Sequence, residues 1–269
     1  MKKYIQNIGA VLFLTLCLPY TMTLLMNGRD GIHTEQELPE LEYQVLDQLL
    51  QEDHSWMQEQ TLELLAILYR TELTRTGESV KIEKILTEMN DDTYSRMYRA
   101  VTNTVGQVIQ INGEYRELPY HALSAGKTRD GQLLGEQFSH VEASACSLDL
   151  KAENYLQIFV LSEQELQMVL GEEFDPDQME LVRDSSEYVI KVQCPKKEWQ
   201  GEEFRTLLHL PSSCFWMEET GKGIRVTVKG SGHGFGISLY TADRMAQNGD
   251  GIQEILDQFY KNAECITIP

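Results

Sequence analysis

The chain has 269 residues, and 42 Asp and Glu against 23 Lys and Arg give it a formal charge of -19. That length can bury a full core without disulfide help, which excludes a stapled miniprotein. The negative field excludes a phosphate-backbone binder, so no nucleic acid is expected as a partner, and a hydrophobic fraction of 42% excludes a disordered tail.

From Ile8 to Met26 run 19 residues without one Asp, Glu, Lys, Arg or His, directly after Lys2 and Lys3. The stretch has no small-x-small cleavage site and approaches the length that crosses a bilayer. It therefore reads as one transmembrane anchor, spanning about 8–26 within a segment 1–30. The positive flank puts the N-terminus in the cytoplasm and residues 31–269, a single domain, outside. Cys146, Cys194, Cys214 and Cys265 follow; their even number permits two disulfides in any of three pairings, while their irregular spacing without CxxC favours buried free thiols.

Helical spacing of Leu38, Leu41, Val45, Leu46, Leu49 and Leu50 predicts a helix ending near Glu52. Leu62, Leu64, Leu65, Ala66, Ile67 and Leu68 are apolar almost all round, which predicts a helix buried in the domain. A turn is expected over Thr74–Gly77 and another helix over 80–101. From Gly106 the period changes to two, and Asn112-Gly113 predicts a hairpin between paired strands. Ser124–Gly135 reads as a loop suited to a ligand or to solvent. YLQIFVL, EYVIKVQC and GIRVTVKG read as strands, with helices over 163–170 and 252–260. Helices first, strands in the middle and a closing helix give an α+β class.

The segment GSGHGFGISLYTADRMAQNG, residues 230–249, sets four glycines around His233 and adds the hydroxyls of Ser238 and Tyr240. It resembles the carboxy-terminal signature of the stage II sporulation protein D family (SpoIID/LytB), usually GHGVGMSQYGA. His233, Gly234, Gly236, Ser238, Tyr240, Ala242, Met245, Ala246 and Gly249 hold the matching places. Leu239 and Thr241 replace the usual glutamine and glycine. Upstream, FRTLLHLPSSCF and TNTVGQVIQINGEYRELPYHALSAGKT are similar to further family elements, the latter placing His121, Ser124 and Gly126. Tyr69-Arg70-Thr71 resembles the family's alanine-arginine-threonine, and counting back without gaps puts its catalytic glutamate at Glu52. Asp53 and His54 stand where Met-Pro is usual.

The resemblance implies a membrane-anchored peptidoglycan lytic transglycosylase of sporulation engulfment. Such an enzyme cleaves MurNAc-GlcNAc bonds of peptide-stripped glycan strands to 1,6-anhydro ends. Glu52 would be the one catalytic acid/base, with apolar surroundings from Leu49, Leu50, Trp56 and Met57. Arg70, Ser124, Gly126, His233, Gly234, Gly236, Ser238 and Tyr240 are the implied substrate-binding residues. Arg70 either binds a muramyl lactyl carboxylate or pairs with an acid at a helix end, and His233 and Tyr240 either line the cleft or brace the turn. No cofactor is required; scattered His121, Cys146 and His233 are the zinc candidates, without ligand spacing. The implied partners are glycan strands, the amidase stage II sporulation protein P and the membrane protein stage II sporulation protein M. The implied location is the cell membrane, facing the intermembrane space during engulfment. The alternative within the resemblance is a non-catalytic module that binds glycan or activates an amidase.

Overall fold

The computed structural model describes residues 38–77, 91–171, 173–221 and 223–269. The expected anchor over 8–26 lies outside them, as do residues 80–90 of an expected helix. Among the described residues no helix is long and apolar enough to cross a membrane.

The apolar spacing of the N-terminal half builds a helical layer. Helix α1 (Glu40–Leu50) buries Val45, Leu46, Leu49 and Leu50. Helix α2 (Glu59–Thr76) is buried nearly all round, as its apolar run predicts, and α3 (Asp91–Asn103) packs against both. The turn expected over Thr74–Gly77 is a continued helix. Thr71, Thr74 and Thr76 each donate a hydroxyl hydrogen bond to the carbonyl four residues back, which absorbs hydroxyls that would compete with the helical backbone. The helix ends at Gly77, with φ of 65°.

Strand β1 (Gln107–Ile111) is tied to α2 by the Ile109 N–H, which donates to the Thr71 hydroxyl at 2.9 Å. The Asn112-Gly113 turn is present, both residues at positive φ, and Ile111 and Glu114 close it with reciprocal backbone bonds. The strand pair expected there is not. The five-residue partner of β1 is β10 (Ala263–Thr267), antiparallel, from the far end of the chain.

The β-rich middle holds two three-stranded antiparallel sheets. One has the order β3 (Leu156–Leu161), β8 (Gly223–Lys229), β7 (Phe215–Thr220). The other is β4 (Glu180–Arg183), β5 (Val189–Gln193), β6 (Glu198–Gln200). Helices α4 (Glu163–Leu170) and α5 (Gly201–Leu207) join them in one core, where Phe174, Trp199, Phe204 and Phe215 meet at ring distances near 6 Å. Ser162 and Glu165 start α4 with a reciprocal capping box.

One small pairing positions the site. Strand β2 (Tyr120–His121) runs parallel to β9 (Ile237–Ser238), so Tyr120 lies beside Ile237 and His121 beside Ser238. Ser238 caps helix α6 (Leu239–Asn248), which touches α2, and α7 (Ile252–Phe259) follows as the expected closing helix. Residues 40–269 form one compact unit of mixed helix and strand.

Candidate functional site

Three short segments meet around β2 and β9: the turn after α1, the histidine-to-glycine stretch after β2, and the glycine-rich loop entering α6. The turn after α1 carries Glu52, which is exposed. Its carboxylate lies close enough to Tyr69, Tyr120 and His54 for its charge to act on all three. Tyr69 and Tyr120 meet edge to face at 6.1 Å with their hydroxyls in hydrogen-bonding reach, and desolvation first, then each other and Glu52, pushes the Tyr69 hydroxyl up. Leu49, Leu50 and Met57 point into the core. They therefore do not enclose Glu52 as the sequence reading expects. Burial first, against the pull of Glu52 and Asp53, lowers the His54 pKa, and its Nε2 is buried without a partner.

Asp243 fixes this turn against α6. Fully buried, it accepts from the Gln58 N–H at 2.6 Å and the Thr61 hydroxyl at 3.0 Å, which supplies α2 with the N-terminal acceptor that Gln58 lacks. Arg96 holds the same turn by donating to the carbonyls of Ser55 and Met57. The result is an aromatic pair, exposed Trp56 stacked on half-buried Tyr240 with centroids 6.5 Å apart.

Asp149 is the corresponding clamp on the other side. It accepts from the Ser124 N–H at 2.8 Å and from the Ser238 and Thr241 hydroxyls, each at 2.7 Å, with no exposed surface. Cys146, beside it, is buried and has its pKa pushed up to about 11, by desolvation first and the Asp149 charge second. Arg129 braces the glycine-rich loop. Its side chain donates to Asp184 at 2.6 Å, to Glu202 at 3.1 Å and to the His233 carbonyl at 3.2 Å, and its ion lies 4.3 Å from the Phe235 ring centre.

Two histidines are locked by this loop. His121 Nδ1 donates to the Phe235 carbonyl at 3.0 Å, so Nε2 is the unprotonated nitrogen, buried without a partner. Desolvation first, then neighbouring His233, pushes the His121 pKa down to about 3. His233 Nδ1 accepts from the Phe235 N–H at 3.1 Å, and the ring centres lie 5.6 Å apart.

No family model matches the chain. It is 25% identical over 173 residues to a protein named stage II sporulation protein D of Bacillus amyloliquefaciens, covering 63% of this chain and 50% of that one. It is 24% identical over 169 residues to the protein of the same name of Bacillus subtilis (strain 168), covering 61% and 49%. The chain is thus similar, over about 60% of its length, to two proteins named stage II sporulation protein D. It spans about half the length of the relatives it matches.

The residues singled out from the sequence fall into two sets. Glu52 and Tyr240 reach the surface of the site. Arg70, by contrast, has no exposed surface and gives Nε and Nη2 to Glu42, at 2.8 and 2.6 Å, with further bonds to Thr104 and the Gln107 carbonyl. Of its two readings, the acid pair is the one present. Ser124 and Ser238 are fully buried, their hydroxyls engaged by the Gly126 N–H and by Asp149. Gly126 takes φ of 98° in the same bend, and its carbonyl accepts from the Cys146 N–H. Gly234 and Gly236 have φ of 81° and 67° and pack inward. A Cβ would lie 2.5 Å from the Tyr188 ring at the first and 1.7 Å from the Pro119 carbonyl at the second. Glycine is required there by the protein's own packing. Among the described residues no three His, Cys, Asp or Glu side chains are gathered for a metal ion.

Sequence pattern gave Trp56 only as apolar surroundings and Tyr69 only as part of the motif that places Glu52, and it gave Tyr120, Asp243 and Arg129 no role. The signal available for Asp243 was an acid inside the glycine-rich signature segment itself.

Proposed function

We propose that the chain is a lytic transglycosylase acting on peptide-stripped peptidoglycan strands, with Glu52 as its acid/base. What supports the reading, in a chain similar to stage II sporulation protein D, is one turn that carries both the exposed Glu52 carboxylate, whose charge acts on Tyr69 and Tyr120, and exposed Trp56, which stacks on half-buried Tyr240 as a surface on which a sugar face can lie. In this reading protonated Glu52 gives its proton to the glycosidic oxygen as the bond from C1 of MurNAc breaks. The carboxylate then takes the proton of the same sugar's 6-hydroxyl as that oxygen bonds to C1. Glu52 returns protonated, and the products are a 1,6-anhydro end and a free 4-hydroxyl, with no water consumed. A sugar lying on the aromatic pair supplies the apolar cover that Leu49, Leu50 and Met57 do not. No cofactor enters this chemistry.

The uncharged 8–26 stretch behind Lys2 and Lys3 supports anchoring in the cell membrane with residues 31–269 outside. The amidase stage II sporulation protein P and the membrane protein stage II sporulation protein M are the partners this reading takes. Asp53 and His54, in place of the usual Met-Pro, favour the alternative of a non-catalytic glycan-binding or amidase-activating module. Digestion of peptide-free strands by the full chain separates the two. Products one water lighter than hydrolysed ends support the transglycosylase, and strand binding without products selects the module.

A further inference from the structure

We propose that Arg244 selects glycan strands carrying free carboxylates, the lactyl groups that muramic acid exposes once its peptide is gone. The inference rests on the glycan reading above and names the feature of the strand that the site recognises.

The Arg244 guanidinium lies 4.7 Å over the Tyr240 ring, on the residue that stacks with Trp56. The aromatic pair and the cation thus form one partly exposed surface, reached from the same turn that carries Glu52. Arg244 makes no ion pair among the described residues, although the chain carries a charge of -19. Among the described residues its one hydrogen bond runs from Nη1 to the neutral Gln247 Oε1 at 2.5 Å, which leaves its remaining donors open toward them. Arg70 and Arg129, the arginines that brace the fold, are each closed on buried carboxylates.

The pose of Arg244 is prepared. Gln247 donates its Nε2 to Asp243 Oδ2 at 3.1 Å while its Oε1 accepts from Arg244, so the buried clamp between α6 and α2 also orients the guanidinium. Stacking on Tyr240 holds the plane and removes rotamer freedom before ligand arrives. A planar fork with open donors matches a carboxylate in two-point geometry. On a strand that still carries peptide, the lactyl carbon is a neutral amide with the peptide attached, and it offers neither the charge nor the second oxygen. Arg70, closed on Glu42, does not have this chemistry available.

The test is co-sedimentation of the full chain with peptide-free strands and with the same strands after their lactyl carboxylates are capped as methylamides. Wild type is expected to bind the capped strands about 10-fold more weakly, the scale of one charge-assisted contact at a surface site. Arg244→Gln is expected to bind both strands like the capped pair, and Arg244→Lys to recover part of the preference. Equal wild-type affinity for the two strands overturns the assignment. So does an Arg244→Gln loss of the same size on both strands, since that reports a disturbed surface. Binding is read without turnover, so the selection stands even if no strand is cut, and cutting without selection removes this inference alone.

Discussion

Replacing Asp149 by Ala removes the acceptor that joins Ser124 to Ser238 and Thr241, at no cost in backbone freedom. Three donors lose their partner: one backbone N–H at 2.8 Å and two hydroxyls at 2.7 Å, all in residues with little or no exposed surface. A hydrogen bond to a charged acceptor contributes about 1.5–3 kcal/mol, and an orphaned buried donor loses its solvation as well. The two hydroxyls can rotate, and water can enter the polar space left by the carboxylate, so the three do not add fully. The net loss is expected at about 3–5 kcal/mol. For a domain of this size each kcal/mol lowers the melting temperature by about 2–4 °C, which gives a fall of about 10 °C. Asp149→Asn keeps one acceptor oxygen and should lose about half as much. Thermal unfolding followed by circular dichroism reads both variants, and a fall of under about 3 °C for Asp149→Ala refutes the clamp.

Arg70→Met should cost about 3–5 kcal/mol in chemical denaturation, because it leaves the Glu42 carboxylate buried without its partner. Adding Glu42→Leu should restore most of that, and a folded double variant with normal glycan binding separates the brace from a substrate role. For pH dependence, His121 is buried neutral, with its pKa pushed down to about 3, while the unfolded chain takes up that proton near pH 6.5. Below about 6.5 the unfolded state therefore binds more protons, and stability falls as pH falls through the window from 6.5 to 3. His121→Asn can still donate to the Phe235 carbonyl but cannot titrate. Its stability should fall less steeply with acid, by up to about 1.4 kcal/mol per pH unit. Parallel slopes for the two proteins in denaturant titrations from pH 7 to pH 5 would remove His121 as the source.

The helical half was legible because its driving force is periodic. Leu62 to Leu68 show in their order alone that α2 is surrounded, and α2 is buried as that pattern requires. The strands β3, β5 and β8 were legible for the same reason. Their partners were not, since β1 meets β10 across more than 150 residues and the two-residue match of β2 with β9 carries no period at all. The candidate site divides in the same way. Glu52 and Tyr240 could be placed through motif and resemblance. Arg70 could not be assigned to one of its two readings, because its partner Glu42 lies 28 residues away with nothing in the spacing to mark it. Gly234 and Gly236 were implied as substrate-binding residues, whereas Tyr188 and Pro119 fill the space beside them. Asp149 and Asp243 act through long-range hydrogen bonds to residues whose neighbourhood only the fold creates.

The most direct test of the account is Glu52→Gln, which keeps the shape of the side chain and removes its proton transfer. Full-length wild type and variant are incubated with peptide-free glycan strands, with strand binding and product masses read from the same samples. The account predicts equal binding, anhydro-muramyl ends from wild type and none from the variant. Anhydro ends formed at the wild-type rate by Glu52→Gln would contradict it.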